Sequence, residues 1–219
     1  MAEEVVIHLV RHGEVNNPEG VLYGRLPGYH LSNRGLEMAD VVADHLAELP
    51  ITQLRTSPLE RARETLEPIV AKFPHLTPEL DARLIEADNL LQGQVFGPSH
   101  KAVKNPTNWW LFRNPLRPSW GEPYEQIAHR MHNAILDAVH ATDPGSAAVL
   151  VSHQNPIWTV RRFLEGKRLA TMPGKRLCTL ASVTSLSFQG NDLVGIDYAE
   201  PAKALLGPDA NAAFSSGSN

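Results

Sequence analysis

Val5-Val6-Ile7-His8-Leu9-Val10, followed at once by Arg11-His12-Gly13-Glu14, is the stretch from which the fold is read. Its first six residues are apolar and mostly β-branched, apart from His8. That pattern suits a strand covered on both faces inside a parallel sheet. His8 alternates with apolar neighbours and reads as a buried, hydrogen-bonded structural histidine. The run then stops abruptly at a charged tetrapeptide. In open α/β sheets, ligands sit beyond the carboxyl ends of the strands, so Arg11 to Glu14 stand where chemistry is expected.

Working outward, Ser32-Asn33-Arg34-Gly35 opens an amphipathic helix with Leu36, Ala39, Val42, Ala43 and Leu46 at helical spacing and Pro50 just past its end. Thr52 to Ser57 reads as a second strand. Pro58 suits a helix first turn, and the helix that follows carries Leu59, Ala62, Leu66, Ile69 and Val70 on one face. Leu80 to Glu86 is a short apolar and acidic segment. Residues 93–123 are rich in Pro, Gly, Asn and Trp, with Trp109, Trp110, Phe112 and Trp120 close together, and read as an irregular insertion over the carboxyl edge of the sheet. A helix over Tyr124–His140 precedes a second buried strand, Ala147 to Val151, which ends at Ser152-His153. A helix over Pro156–Leu164 and two strands near Leu180–Phe188 and Leu193–Tyr198 complete the pattern. Strands alternating with helices predict an α/β three-layer sandwich around a mostly parallel sheet. The expected domain is residues 1–201, with 202–219 a weakly ordered tail.

The chain has 219 residues, enough for one domain with a substantial core. It carries 20 Lys and Arg against 24 Asp and Glu, a formal charge of −4, so an anion site must be a local gathering of Arg and His rather than a global basic field. No nucleic-acid partner is expected. The single cysteine, Cys178, rules out an intrachain disulfide and reads as a small buried hydrophobe. The acidic start and the short apolar run fit neither a signal peptide nor a membrane span, so a cytoplasmic protein without membrane association is expected.

Two predicted strands each end near a histidine, His12 and His153. Arg61 and Arg63 open the helix after the second strand, and Glu86 follows the third segment. Parallel strands direct their carboxyl ends the same way, so these groups can converge. The set suits phosphoryl transfer. Guanidinium forks match phosphate oxygens, a neutral imidazole is a competent nucleophile, and a carboxyl group can protonate a leaving oxygen and later take a proton from water. Glu86 and Asp88 both stand as candidates for that acid. With two arginines and a second histidine supplying positive charge, no metal or cofactor is required. Arg63, one residue past Arg61, is expected to face solvent. Ser57 reads as a strand-end or cap hydroxyl. Arg25 stands equally as a contact to a second anionic group and as surface charge, whereas Lys101, Lys104 and Arg113 are read as solvated charges. His45, His129, His132 and His140 are expected at the surface.

These residues, taken in order, resemble the histidine phosphatase superfamily, the phosphoglycerate-mutase-like enzymes, over roughly residues 5–200. The marks are Leu9-Val10-Arg11-His12-Gly13-Glu14, Tyr23-Gly24-Arg25, Leu31-Ser32-Asn33-Arg34-Gly35, Thr56-Ser57-Pro58-Leu59-Glu60-Arg61-Ala62, Leu84-Ile85-Glu86, Gly121-Glu122 and Val151-Ser152-His153. The resemblance implies that His12 is the phosphorylated nucleophile and that Arg11, Arg61 and His153 form the positive pocket. It also implies Glu86 as proton donor and Asn17 and Gly24 as phosphate or substrate contacts. Asn17 lies one residue nearer to His12 than in the family pattern. The segment Ala87-Asp88-Asn89-Leu90-Leu91-Gln92-Gly93 and the tripeptide Gly121-Glu122-Pro123 depart from it. The expected function is a metal-independent phosphatase of small phosphate monoesters working through phospho-His12, possessed of no cofactor and compatible with a homodimer. A mutase-type isomerase and a non-catalytic phosphate-binding module are the alternatives.

Overall fold

A computed structural model of the protein describes residues 4–95, 121–170 and 176–207. In chain order the elements are β1 (Val5–Arg11), α1 (Asn33–Leu46), β2 (Ile51–Thr56), α2 (Glu60–Lys72), β3 (Glu79–Leu80), α3 (Tyr124–Ala141), β4 (Ala147–Ser152), α4 (Gln154–Leu164), β5 (Val183–Gln189) and β6 (Asp192–Ala199). They form one six-stranded sheet in the order β3-β2-β4-β1-β5-β6. The first four strands in that order are mutually parallel, and β5 and β6 add an antiparallel hairpin to the free side of β1.

Helices cover both faces, as the strand pattern requires. Ile7, Leu9, Ala148 and Leu150 pack with Ile127, Met131 and Ile135 of α3 and with Ile157 and Val160 of α4. On the opposite face, Val10, Val149 and Val151 pack with Met38, Val42 and Leu46 of α1 and with Ala62, Leu66 and Ile69 of α2. The three-layer sandwich is therefore as expected. His8 is buried, and its Nδ1 lies 2.8 Å from Ser185 Oγ on β5.

Ser32 caps α1, its Oγ accepting from Gly35 N at 3.0 Å. Leu36 lies outside the buried stripe of this helix, at 47% exposed. The stripe runs instead through Gly35, Met38, Ala39, Val42, Ala43 and Leu46. α4 begins two residues earlier than predicted, so Pro156 falls inside its first turn, where a missing N–H costs no intrahelical bond. The Leu80–Glu86 segment becomes the two-residue edge strand β3 and a 3₁₀ turn at Ala82–Leu84.

The packed chain also runs past the expected boundary at 201. Ala202 is 2% exposed, and Leu205 and Leu206 lie against the α1–α2 core, because apolar side chains there find uncovered core to bury. Most of the predicted insertion lies outside the described residues, including its tryptophans and Lys101, Lys104 and Arg113. Its two ends are described. Val95 bridges Val21, and Gly121 bridges Asn89, so that segment leaves and rejoins the domain beside the 21–25 and 86–89 loops.

Candidate active site

The parallel register decides what meets at the carboxyl edge. Arg11 of β1 is level with Ser152 of β4, and Thr56 of β2 with Val151. The next residues of these three strands are thus neighbours: His12, His153 and Ser57. Backbone bonds lock them in place, from His12 N to Ser152 O (3.1 Å) and from Ser57 N to Val151 O (3.0 Å).

His12 is 2% exposed. Its Nδ1 lies 2.7 Å from the Gly13 carbonyl; because a carbonyl only accepts, Nδ1 carries the proton and Nε2 keeps the lone pair. Burial, then the positive charges of Arg61 and Arg11, hold the imidazole well below its ordinary pKa, against a smaller upward pull from the Gly13 carbonyl. Its lowered pKa favours the uncharged imidazole, and the backbone sets its tautomer.

The two arginines are each tethered by one nitrogen and leave others free. Arg11 Nη1 donates to Cys178 O (2.7 Å), and its Nε has no partner. Arg61 is fully buried. Its Nη2 donates to Gly24 O (2.7 Å), its guanidinium lies over the Tyr23 ring at 4.7 Å, and both Nε and Nη1 lack partners. Glycine suits that position, since its φ of +46° is one that side chains rarely adopt.

His153 is fully buried, with its ring centroid 5.1 Å from that of His12. Its Nε2 is 2.8 Å from Ser57 Oγ. Ser57 Oγ also accepts from Leu59 N at 3.4 Å. The other ring nitrogen, Nδ1, is buried without a partner. Burial first, then Arg61, lowers the pKa of His153 well below its usual value. Ser57, at the end of β2, thus orients a site histidine.

Glu86 comes to the same edge by a different route. Ser152 Oγ donates to Leu84 O (2.6 Å), Asp81 N donates to Thr56 O (2.9 Å), and Arg25 Nε donates to Glu86 O (2.7 Å). Its own Oε1 accepts from Ala87 N (2.7 Å). It is near enough to Arg61 and Tyr23 for its charge to act on both. Asp88 is exposed and caps Asn89 N at 2.9 Å.

Asn17 is buried, but both sides of its amide engage Val21, through Nδ2 to O (2.9 Å) and Oδ1 from N (3.0 Å). It braces the loop that leads to Tyr23 and Gly24. Arg25 pairs with Glu122 at 2.9 Å, so this guanidinium joins the 86–88 loop to the Gly121-Glu122 motif. Arg63 is exposed, and Cys178 is buried. Sequence reasoning missed three neighbours of the site. Thr65 accepts from Gly13 N, Tyr23 underlies Arg61, and Arg176 is close enough to Arg11 and Glu86 for their charges to act on it. Tyr23 had a signal in the Tyr-Gly-Arg motif, whereas Arg176 belongs to no motif.

Fold and site together define an α/β sandwich protein with two buried histidines at the carboxyl edge of the sheet, beside arginines that hold unused donors, a set suited to an anion. Residues 7–199 match the histidine phosphatase superfamily (branch 1), and the chain belongs to that family. It is 50% identical over 202 residues to the uncharacterized protein Rv0525 of Mycobacterium tuberculosis (strain ATCC 25618 / H37Rv), covering 92% of this chain and 99% of the relative. It is 33% identical over 150 residues to the probable phosphoglycerate mutase GpmB of Cronobacter sakazakii, covering 67% of this chain and 68% of that one. Among solved structures, mycobacterial glucosyl-3-phosphoglycerate phosphatase Rv2419c shares the fold at a TM-score of 0.70 and 24% identity, over 90% of this chain and 97% of that one. Phosphoserine phosphatase from Entamoeba histolytica does so at 0.73 and 20%, over 90% and 99%. The family thus includes phosphatases and mutase-like proteins. Among the described residues, no helix is long and apolar enough to cross a membrane.

Proposed function

We propose that the protein is a phosphatase of small phosphate monoesters that works through a phosphohistidine on His12. One observation carries this reading. Arg61, fully buried, keeps two unpartnered donors beside a neutral His12. Burying such donors without a partner is costly, and a bound phosphoryl group would satisfy them.

Arg11, Arg61 and His153 hold the non-bridging oxygens. The Nε2 lone pair of His12 forms a bond to phosphorus as the ester P–O bond breaks, and the Glu86 carboxyl gives its proton to the departing alkoxide. Water then attacks phospho-His12, Glu86 takes back a proton from it, and the N–P bond breaks to release phosphate. The arginines supply the positive charge that a divalent ion supplies elsewhere. The choice of Glu86 over Asp88 rests on its neighbours, since Asp88 is exposed and Glu86 acts on Arg61.

The 33% identity to a probable phosphoglycerate mutase favours a second reading, isomerisation, in which phospho-His12 returns its phosphoryl group to the substrate. Rapid quenching of the protein with ³²P-labelled ester separates the readings. The phosphatase forms an acid-labile, base-stable phosphoenzyme that decays to phosphate, His12→Ala forms none, and EDTA changes neither result. Isomerisation of 3-phosphoglycerate faster than phosphate release, with a trace of 2,3-bisphosphoglycerate present, would overturn this ranking.

A further inference from the structure

Glu122 holds the loop of the acid from several sides at once. Its side chain is 12% exposed. Oε2 accepts from Arg25 Nη2 (2.9 Å), from Arg130 Nη2 (3.0 Å) and from Asp88 N (3.4 Å), and Oε1 accepts from Arg130 Nε (2.8 Å). The Glu122 N–H donates to Asp88 O at 3.1 Å. Both guanidiniums then reach back to the acid segment. Arg130, on α3, donates through Nη1 to Arg83 O, and Arg25 donates through Nε to Glu86 O. One carboxylate thus ties the turn at Arg25 and the helix α3 to the 83–88 segment.

The link with consequences for chemistry runs through a single peptide unit. The Glu86 carbonyl held by Arg25 and the Ala87 N–H belong to one planar group. That N–H donates to Glu86 Oε1 at 2.7 Å, so whatever fixes the carbonyl also fixes the donor that aims the carboxyl group. A free arginine side chain loses much rotamer freedom when it binds, and the pairing with Glu122 orders Arg25 in advance. The tether of Arg61 has its own support, because Arg25 N donates to Gln92 Oε1 (3.1 Å) next to the Gly24 carbonyl that Arg61 holds. From this relay we infer that Glu122 is a positioning residue for proton transfer, acting through Arg25 to aim the Glu86 carboxyl at the departing oxygen. This rests on the phosphatase reading above, with Glu86 as its acid, and deepens it.

The test uses one aromatic skeleton, a series of ring-substituted phenyl phosphates graded from phenyl to 2,4-dinitrophenyl. kcat/KM ends at release of the phenol, so it reports the step in which the Glu86 proton passes to the departing oxygen as the P–O bond breaks. Dinitrophenolate departs without a proton, whereas phenolate needs one. Glu122→Gln keeps the size of the side chain and removes its charge. It should lower kcat/KM on phenyl phosphate by about 10- to 100-fold and leave the dinitrophenyl ester nearly unaltered. Arg25→Met breaks the relay one link nearer the acid, while Arg130 keeps its pairing, and should steepen the dependence on leaving group in the same way. Glu122→Asp should recover part of the loss, and Glu86→Gln sets the reference slope. A merely structural role for Glu122 would lower every rate by one factor, since only the amount of folded enzyme changes. Parallel losses across the series, or an unchanged slope, would overturn the inference and leave the phosphatase reading intact. A wild type that hydrolyses none of these esters would sink that reading and this inference together.

Discussion

At the residue scale, the site works by keeping His12 uncharged among cations. Burial and the two guanidiniums both oppose its protonation, so under the proposed mechanism its reactive form persists below pH 6.5. The acid limb of kcat/KM should therefore lie below the ordinary histidine range. Arg61→Gln removes the cation that acts most strongly on His12, so the His12 pKa rises and the acid limb moves to higher pH. The same change should lower kcat/KM by about 10² to 10³, as expected for one lost charge-stabilising group. Steady-state profiles of both proteins on one ester check this, because the ionisation of the ester is common to the two. A limb that stays still or moves to lower pH would show that Arg61 does not set the charge of His12. His153 shares this logic, its pKa lowered by burial and then by Arg61 and its ring held by the hydrogen bond to Ser57.

At the element scale, two glycines let α1 approach the strand end that carries His12. A Cβ on Gly13 would lie 2.5 Å from Gly35 O, and one on Gly35 would lie 2.0 Å from Glu14 O. Backbone cannot yield as a flexible side chain can. The contact is closed by Glu14, which accepts from Ser32 Oγ (2.8 Å) and Arg34 Nη1 (3.2 Å) while Ser32 caps the helix. The glutamate of the Arg-His-Gly-Glu motif is thus scaffolding for the helix start. Gly35→Ala should destabilise the fold by about 1–3 kcal/mol through overpacking, despite the better helix propensity of alanine. Urea unfolding of the two proteins measures it, and an unchanged midpoint would mean that α1 can move away freely. The loop after Cys178 adds a smaller strain. Ala181 has φ +53°, and its N–H reaches His12 O at 3.3 Å, so a left-handed alanine braces His12 from its carbonyl side.

At the scale of the whole molecule, the sheet gathers the site and also sets its response to acid. His8 sits among packed residues on β1, its pKa lowered to about 4, chiefly by burial and then by His45. A histidine depressed in the native state is protonated more readily in the unfolded chain, so stability is full above pH 6.5 and declines as pH falls from 6.5 towards 4. The loss tied to His8 approaches ~3 kcal/mol at the lower end of that window. His8→Gln should flatten the fall in melting temperature between pH 7 and pH 4.5 relative to wild type. A parallel fall in both proteins would remove His8 from the account and leave His12 and His153, which have the same sign of shift.

Much of this was legible in the chain itself, because it depends on local period and on residue type. An apolar run cut off by Arg11-His12 has one reading in an α/β pattern, and the repeats in α1, α2 and α3 declare which faces are buried. The same local rules led astray where packing overrode them. Leu36 fits the period but faces solvent, and Ala202 and Leu206 look like tail but cover core. Tertiary structure alone decided the division of labour among polar residues, since a side chain's partner depends on what the register of distant strands brings opposite it. Asn17 spends its amide on Val21, Arg25 is claimed by Glu122, and Ser57 turns to His153. Arg176 arrives beside Glu86 and Arg11 from a segment with no motif at all. The types of group needed for phosphoryl chemistry are written in one dimension, but which of them remain unpaired, and so free to bind, is settled only when the chain closes on itself.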